Sequence, residues 1–122
     1  MEETDPRRGK TTIGGKVDVA QVAKPPRPHF LEMIEGTGSP AKYELSKAEI
    51  VIGREEGTDL MLPGDHVSRK HALLRRRNQE YTIIDLDSVH GVYLNEIKVH
   101  SALLRDEDVL QLAEFVFVYH EA

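Results

Sequence analysis

The chain has 122 residues, a net charge of −5 and no cysteine. This length suits one ordinary domain, and the lack of cysteine excludes disulfides and thiolate metal sites. The apolar runs, such as Phe115 to Tyr119, are far shorter than the ~20 residues that span a bilayer, and the N-terminus lacks an apolar signal segment. We therefore expect a cytoplasmic protein that makes no membrane contact.

Charge is divided unevenly along the chain. Residues 1–28 carry six basic and four acidic side chains, a net charge of +2, and the remainder carries −7. Nucleic-acid affinity comes largely from basic side chains that neutralise phosphates. An acidic body therefore predicts a protein with no nucleic-acid partner.

The first 28 residues differ in composition from the rest. They are polar and charged, contain Gly14-Gly15 and end in Pro25-Pro26-Arg27-Pro28. No sustained apolar period runs through them, so they cannot bury enough surface to offset the entropy of ordering. The pattern predicts a disordered N-terminal tail at residues 1–28 and a folded domain at residues 29–122.

From His29 onward, short apolar or alternating runs are each bounded by glycine, proline, asparagine or aspartate, which is a strand signal. The predicted strands are Phe30–Ile34, Tyr43–Leu45, Ile50–Ile52, Asp59–Leu62, Ala72–Arg76, Tyr81–Leu86, Val92–Leu94, Val109–Leu112 and Phe115–Tyr119. The last two are joined by Ala113-Glu114 and are expected to form a hairpin. Many short strands at close spacing predict an all-β protein, an antiparallel β-sandwich or barrel.

Three loop signatures lie between these strands. They are Gly53-Arg54, Ser68-Arg69-Lys70-His71-Ala72 and His90-Gly91-Val92-Tyr93-Leu94-Asn95. Their order and spacing resemble the forkhead-associated (FHA) family over about Leu31 to Tyr119. The resemblance implies a β-sandwich of about 11 strands that binds phosphothreonine peptides.

The chemistry of these residue types points the same way. A phosphorylated side chain brings nearly two negative charges and three strong acceptor oxygens, so its receptor needs a fixed cation and hydroxyl or amide donors. Arg54, Ser68 and Arg69 supply a guanidinium, a hydroxyl and further charge on loops, which a rigid sandwich can present together.

The resemblance also implies individual roles. Arg54 would bind the phosphate and the peptide backbone, Ser68 would donate its hydroxyl to the phosphate, and Arg69 would add charge. The remaining positions would support the binding loops, and His71 would do so without touching the ligand: Gly53, His71, Gly91 and Asn95.

The third loop departs from the family pattern. Family members commonly carry Asn-Gly-Thr where this chain has His90-Gly91-Val92. The asparagine grips the peptide main chain, whereas a neutral imidazole offers one donor and one acceptor on a differently shaped ring. His90 would either keep a weaker grip or, once protonated, act as an additional cation for the phosphate. The alternative is an FHA-like fold with a degenerate phosphate site that binds a partner independently of phosphorylation.

An enzymatic reading is not favoured. Ser68 and His71 would need to meet as nucleophile and base inside a turn, and no Gly-x-Ser-x-Gly elbow accompanies them. Histidines and acidic loop residues show no recognised ligand spacing, so we expect no metal and no cofactor.

The expected function is recognition of threonine-phosphorylated protein, as an adaptor downstream of a Ser/Thr kinase. Thr11 and Thr12 lie in the tail among basic residues, in Lys10-Thr11-Thr12-Ile13-Gly14-Gly15. If a kinase phosphorylates either threonine, the tail itself becomes a candidate ligand for the domain.

Overall fold

The computed structural model of the chain describes residues 28–121. The predicted disordered tail, with Thr11 and Thr12, lies outside the described residues except for Pro28. Within residues 28–121 there is no helix that is long and apolar enough to cross a membrane.

The described residues form an all-β structure. The strands are β1 (His29–Glu35), β2 (Ala41–Leu45), β3 (Glu49–Gly53), β4 (Leu60–Met61), β5 (Ala72–Arg77), β6 (Glu80–Asp85), β7 (Val92–Leu94), β8 (Ile97–Val99), β9 (Ser101–Leu103), β10 (Val109–Leu112) and β11 (Phe115–His120). The predicted fold class and strand number are confirmed. Two strands that the pattern did not locate are β8 and β9, whose side chains are all exposed or half-buried and so form no core-facing apolar run.

The strands form two sheets that pack as a sandwich. One has the order β2-β1-β11-β10-β7-β8 and the other the order β9-β6-β5-β3-β4. Neighbouring strands are antiparallel except β3 and β4, which run parallel with Ile52 opposite Leu60. The sandwich therefore contains one short parallel pair that the antiparallel prediction did not include.

Alternating side chains build the core. On β11, Phe115, Phe117 and Tyr119 are buried, whereas Val116 and Val118 on the other face are half-buried. The predicted hairpin of β10 and β11 is confirmed, with Leu112 paired to Phe115 across a two-residue turn. Burying each large apolar side chain contributes roughly 1.5–3 kcal/mol to folding.

The sheet register gathers three strand ends. Ala72, the first residue of β5, pairs with Ile52 on β3 and with Asp85 on β6. The loops that follow β3, precede β5 and follow β6 therefore leave the same edge of the sheet. This edge carries two of the three loop signatures and the start of the third.

Tyr81 secures the opposite end of the sandwich. Its side chain is buried, and its hydroxyl lies 3.1 Å from the carbonyl oxygen of Leu45 and 2.7 Å from that of Lys47. Burial raises the pKa of the Tyr81 phenol, an effect that the nearby Arg76 guanidinium partly offsets. The neutral hydroxyl thus holds the connection between β2 and β3 against the core.

Replacing Tyr81 with phenylalanine should lower the free energy of unfolding by about 1–3 kcal/mol, because buried carbonyls lose their donor. Urea unfolding followed by tyrosine fluorescence or circular dichroism measures this change. Tyr43→Phe is the control, since Tyr43 is half-buried and its hydroxyl has no hydrogen-bond partner within residues 28–121. Equal stability of both variants and the parent would contradict the assigned role of the Tyr81 hydroxyl.

Candidate functional site

The loops after β3 and before β5 are joined by main-chain hydrogen bonds. The Arg54 N–H donates to the Ser68 carbonyl at 3.0 Å, and the Glu55 N–H donates to the Arg69 carbonyl at 3.1 Å. A Cβ atom at Gly53 would overlap the carbonyl oxygen of Arg69. Only glycine permits this close approach, so Gly53 sets the spacing between Arg54 and the second loop.

The Arg54 side chain is exposed but anchored. Its Nε donates to the carbonyl oxygen of Val67 at 3.0 Å, and Val67 itself is buried. Among residues 28–121 no carboxylate forms an ion pair with Arg54. The outer nitrogens of the guanidinium are therefore available to an anionic ligand.

Ser68 is similarly prepared to donate. Its Oγ accepts a hydrogen bond from the Val89 N–H at 3.0 Å. Because that bond uses a lone pair of the oxygen, the hydroxyl hydrogen remains available to a ligand. Arg69 follows immediately and is exposed, so Arg54, Ser68 and Arg69 are brought to adjoining loops.

His71 connects the second and third loops from below. It is fully buried, its Nδ1 accepts from the Ser68 N–H at 3.1 Å, and its Nε2 donates to the Gly91 carbonyl at 2.8 Å. These two bonds assign the proton to Nε2, since Nδ1 must be unprotonated to accept. His71 is thus a buried brace with no route to act as a catalytic base.

The third loop also holds itself together. Asp85 Oδ1 accepts from the N–H of Ser88 at 3.2 Å and from its hydroxyl at 2.6 Å. The Ser88 Oγ in turn accepts from the Gly91 N–H at 2.9 Å. Gly91 has φ +84°, which suits glycine at this turn. The sequence pattern did not single out Ser88, although Asp-x-x-Ser at a strand end is typical of such a side-chain-bonded turn.

His90 and Asn95 occupy different environments. The exposed ring of His90 meets the ring of His66 edge-on, with centroids 5.1 Å apart. Asn95 lies in the β7–β8 turn, where its Nδ2 donates to Asp108 at 3.0 Å and its Oδ1 accepts from the Val109 N–H at 2.9 Å. His90 therefore lies beside the loop that carries His66 and Ser68, whereas the Asn95 side chain ties the β7–β8 turn to the start of β10.

A family model for the FHA domain matches residues 50–113, a range that holds all three loops. The chain belongs to the FHA domain family. The match covers more than half of the chain and includes the positions that the loop signatures occupy.

Curated relatives agree with this assignment. The chain is 33% identical over 95 residues to the glycogen accumulation regulator GarA of Mycobacterium tuberculosis, covering 78% of this chain and 59% of GarA. It is 27% identical over 121 residues to the oxoglutarate dehydrogenase inhibitor of Corynebacterium diphtheriae, covering 99% of this chain and 82% of that protein. The chain thus spans about 59% of the length of GarA.

Solved FHA structures share the fold. One structure from a study of phosphothreonine-dependent FHA domain interactions has a TM-score of 0.72 at 28% identity, covering 78% of this chain and 97% of that chain. Mycobacterium tuberculosis EmbR in complex with a low-affinity phosphopeptide has a TM-score of 0.75 at 27% identity, covering 85% of this chain and 26% of EmbR.

The relatives named above are regulatory proteins by name. Relatives are named a regulator and an inhibitor. In the part of the chain that the structure describes, no three histidine, aspartate or glutamate side chains are arranged to hold a metal ion.

Removing the His71 imidazole should loosen the loops that it joins. We expect His71→Ala to lower the free energy of unfolding by about 2–4 kcal/mol, because the Ser68 N–H and the Gly91 carbonyl lose buried partners. Chemical denaturation measures the loss, and amide hydrogen exchange at Ser68 should accelerate. His100→Ala, at an exposed position, is the control. If Ser68 exchanges at the parent rate in the His71 variant, the brace is not needed to order that loop.

Proposed function

We propose that this FHA domain binds phosphothreonine peptides, with Arg54, Ser68 and Arg69 holding the phosphate and His90 beside the peptide. The observation that carries the proposal is the joint presentation of the Arg54 guanidinium and the Ser68 hydroxyl. Hydrogen bonds to the protein hold both side chains in place. Their remaining donors contact no carboxylate within residues 28–121.

Charge supports selectivity for the phosphate. A phosphothreonine carries close to two negative charges and three acceptor oxygens, and charge-assisted hydrogen bonds are about twice as strong as neutral ones. The acidic body repels anions that lack such specific contacts. A local basic site in an acidic domain therefore favours a phosphopeptide over a polyanion such as nucleic acid.

The relatives support an adaptor role. Proteins named as regulators share this domain, and the EmbR structure holds a phosphopeptide. We propose that residues 29–122 are the reading unit and that the protein acts downstream of a Ser/Thr kinase, with a threonine-phosphorylated protein as its partner.

Arg54→Ala should weaken binding of a phosphothreonine peptide at least tenfold, because a lost charge-assisted hydrogen bond costs roughly 1.5–3 kcal/mol. Isothermal titration calorimetry with phosphorylated and unphosphorylated forms of one peptide measures this difference. Arg77→Ala is the matched control, since Arg77 is an exposed arginine at the far end of β5 and should bind like the parent.

Two results would sink this proposal. One is equal affinity of the parent for both forms of the peptide, which would favour partner binding independent of phosphorylation. The other is an Arg54→Ala variant that binds the phosphopeptide as tightly as the parent.

The tail adds a regulatory element to the proposal. Thr11 and Thr12 are candidate phosphorylation sites, and the roughly 18 residues from Thr12 to Phe30 can extend to ~60 Å. That reach exceeds the width of a domain of this size. A tethered ligand can have an effective concentration near the millimolar range, so a weak site would still be occupied.

Phosphorylation of Thr12 should therefore produce a closed state that competes with outside ligands. We expect backbone amide shifts at Arg54, Ser68 and Arg69 in the phosphorylated chain, and weaker binding of an added phosphopeptide. Two-dimensional NMR and calorimetry measure these effects, with the unphosphorylated chain as the control. Unchanged shifts together with unchanged affinity for the added peptide would exclude self-binding through Thr12.

A further inference from the structure

A recess lies beside the loops that carry Ser68 and His90. It has a volume of about 300 Å³ and is lined by His66, His90, Tyr93, Gln111, Ala113 and Glu114. Two of its lining residues belong to the loops near Ser68, since His66 stands two residues before Ser68 and His90 follows Val89, whose N–H donates to the Ser68 Oγ. A peptide held by Ser68 would thus place a neighbouring side chain within reach of this recess.

Three of the six side chains that line the recess carry a ring. The rings of His66 and His90 stand edge-on at 5.1 Å between centroids, and Tyr93 projects from the outer face of β7 opposite Gln111 on β10. The face of a phenol ring such as that of Tyr93 carries partial negative charge and attracts cations.

The acceptors of the recess come from β10 and the turn that follows it. Gln111 donates its side-chain N–H to the Ala113 carbonyl at 3.1 Å, which leaves the amide oxygen as an acceptor. Glu114 contributes a carboxylate whose oxygen lies 3.9 Å from the Nδ1 of His66. This distance is too long for a hydrogen bond, so the carboxylate keeps its capacity to accept from a ligand.

Glu114 is held in position by the neighbouring loop. A Cβ atom at Gly64 would overlap the Glu114 carboxyl group, so the side chain lies directly against the backbone of the loop between β4 and β5. The same glycine is packed against the buried ring of Phe115. The fold therefore places the Glu114 carboxylate against the loop between β4 and β5, which also carries Ser68.

From these observations we infer that the recess selects a lysine or arginine side chain close to the phosphothreonine of the ligand. The Tyr93 ring, the Gln111 amide oxygen and one positioned carboxylate fit a cationic side chain, and no arginine or lysine lines the recess to compete for it. The inference rests on the proposed phosphothreonine function. The tail has matching chemistry, because Lys10 precedes Thr11 and Lys16 follows Thr12 by four residues.

An oriented peptide library tests the inference. Peptides with a fixed phosphothreonine and random flanking positions are bound to the full chain at pH 7.5, and the retained pool is sequenced. We expect enrichment of lysine and arginine at one flanking position. A single peptide with lysine there should bind about fivefold tighter than its norleucine counterpart, as expected for a partly exposed ion pair reinforced by aromatic contact.

Variants then separate the recess from the phosphate site. Glu114→Gln should reduce the preference for lysine to within about twofold and leave the norleucine peptide unaffected. Arg54→Ala should weaken both peptides alike. Glu80→Gln, at an exposed position at the start of β6, is the matched control and should keep the full preference.

The possible failures are distinguishable. If phosphopeptides bind without enrichment of basic residues, or with enrichment of acidic ones, the assignment of the recess is overturned and the proposed function stands. An unchanged preference in Glu114→Gln overturns the role of that carboxylate. If no phosphothreonine peptide binds the chain, both the proposed function and the recess assignment fall.

Discussion

The imidazole of His71 joins two loops that the sheets alone leave separate. With no solvent access, it accepts from the Ser68 N–H and donates to the Gly91 carbonyl, so both loops have fixed positions relative to β5. A buried polar group is costly unless all its hydrogen bonds are made. The same requirement that satisfies His71 therefore orders the loops that carry Ser68 and His90.

The ordered loops present hydrogen-bond donors that are held in place by bonds to the protein. The Arg54 Nε donates to the Val67 carbonyl oxygen, and the Ser68 Oγ accepts from the Val89 N–H. The groups that Arg54, Ser68 and Arg69 leave free at the surface are positive or donate hydrogen bonds. The rest of the domain carries a net negative charge. Binding to such a site orders few additional side chains, which lowers the entropic cost of association.

His90 gives the surface beside these loops its own chemical character. Its ring contacts His66 and forms one wall of a recess that contains the Glu114 carboxylate. Gly53, His71 and Gly91 fix the positions of the loops that carry Arg54, Ser68 and His90, and the side chains around these loops differ in charge. The selectivity of such a domain for residues beside a phosphorylated one can therefore vary while the hydrogen bonds of His71 stay the same.

Short alternating runs in the sequence determined the all-β class and nine of the strands. The three loop signatures determined that Arg54, Ser68, Arg69 and His71 belong to one group of loop residues. Alternation predicts which face of a strand is buried, and local motifs predict a turn. The pairing of His66 with His90, the anchoring of Arg54 by Val67 and the placing of Glu114 against Gly64 were decided by the tertiary structure. These contacts join loops that are distant in the chain, and their geometry follows from sheet register and packing between strands, which no local pattern encodes.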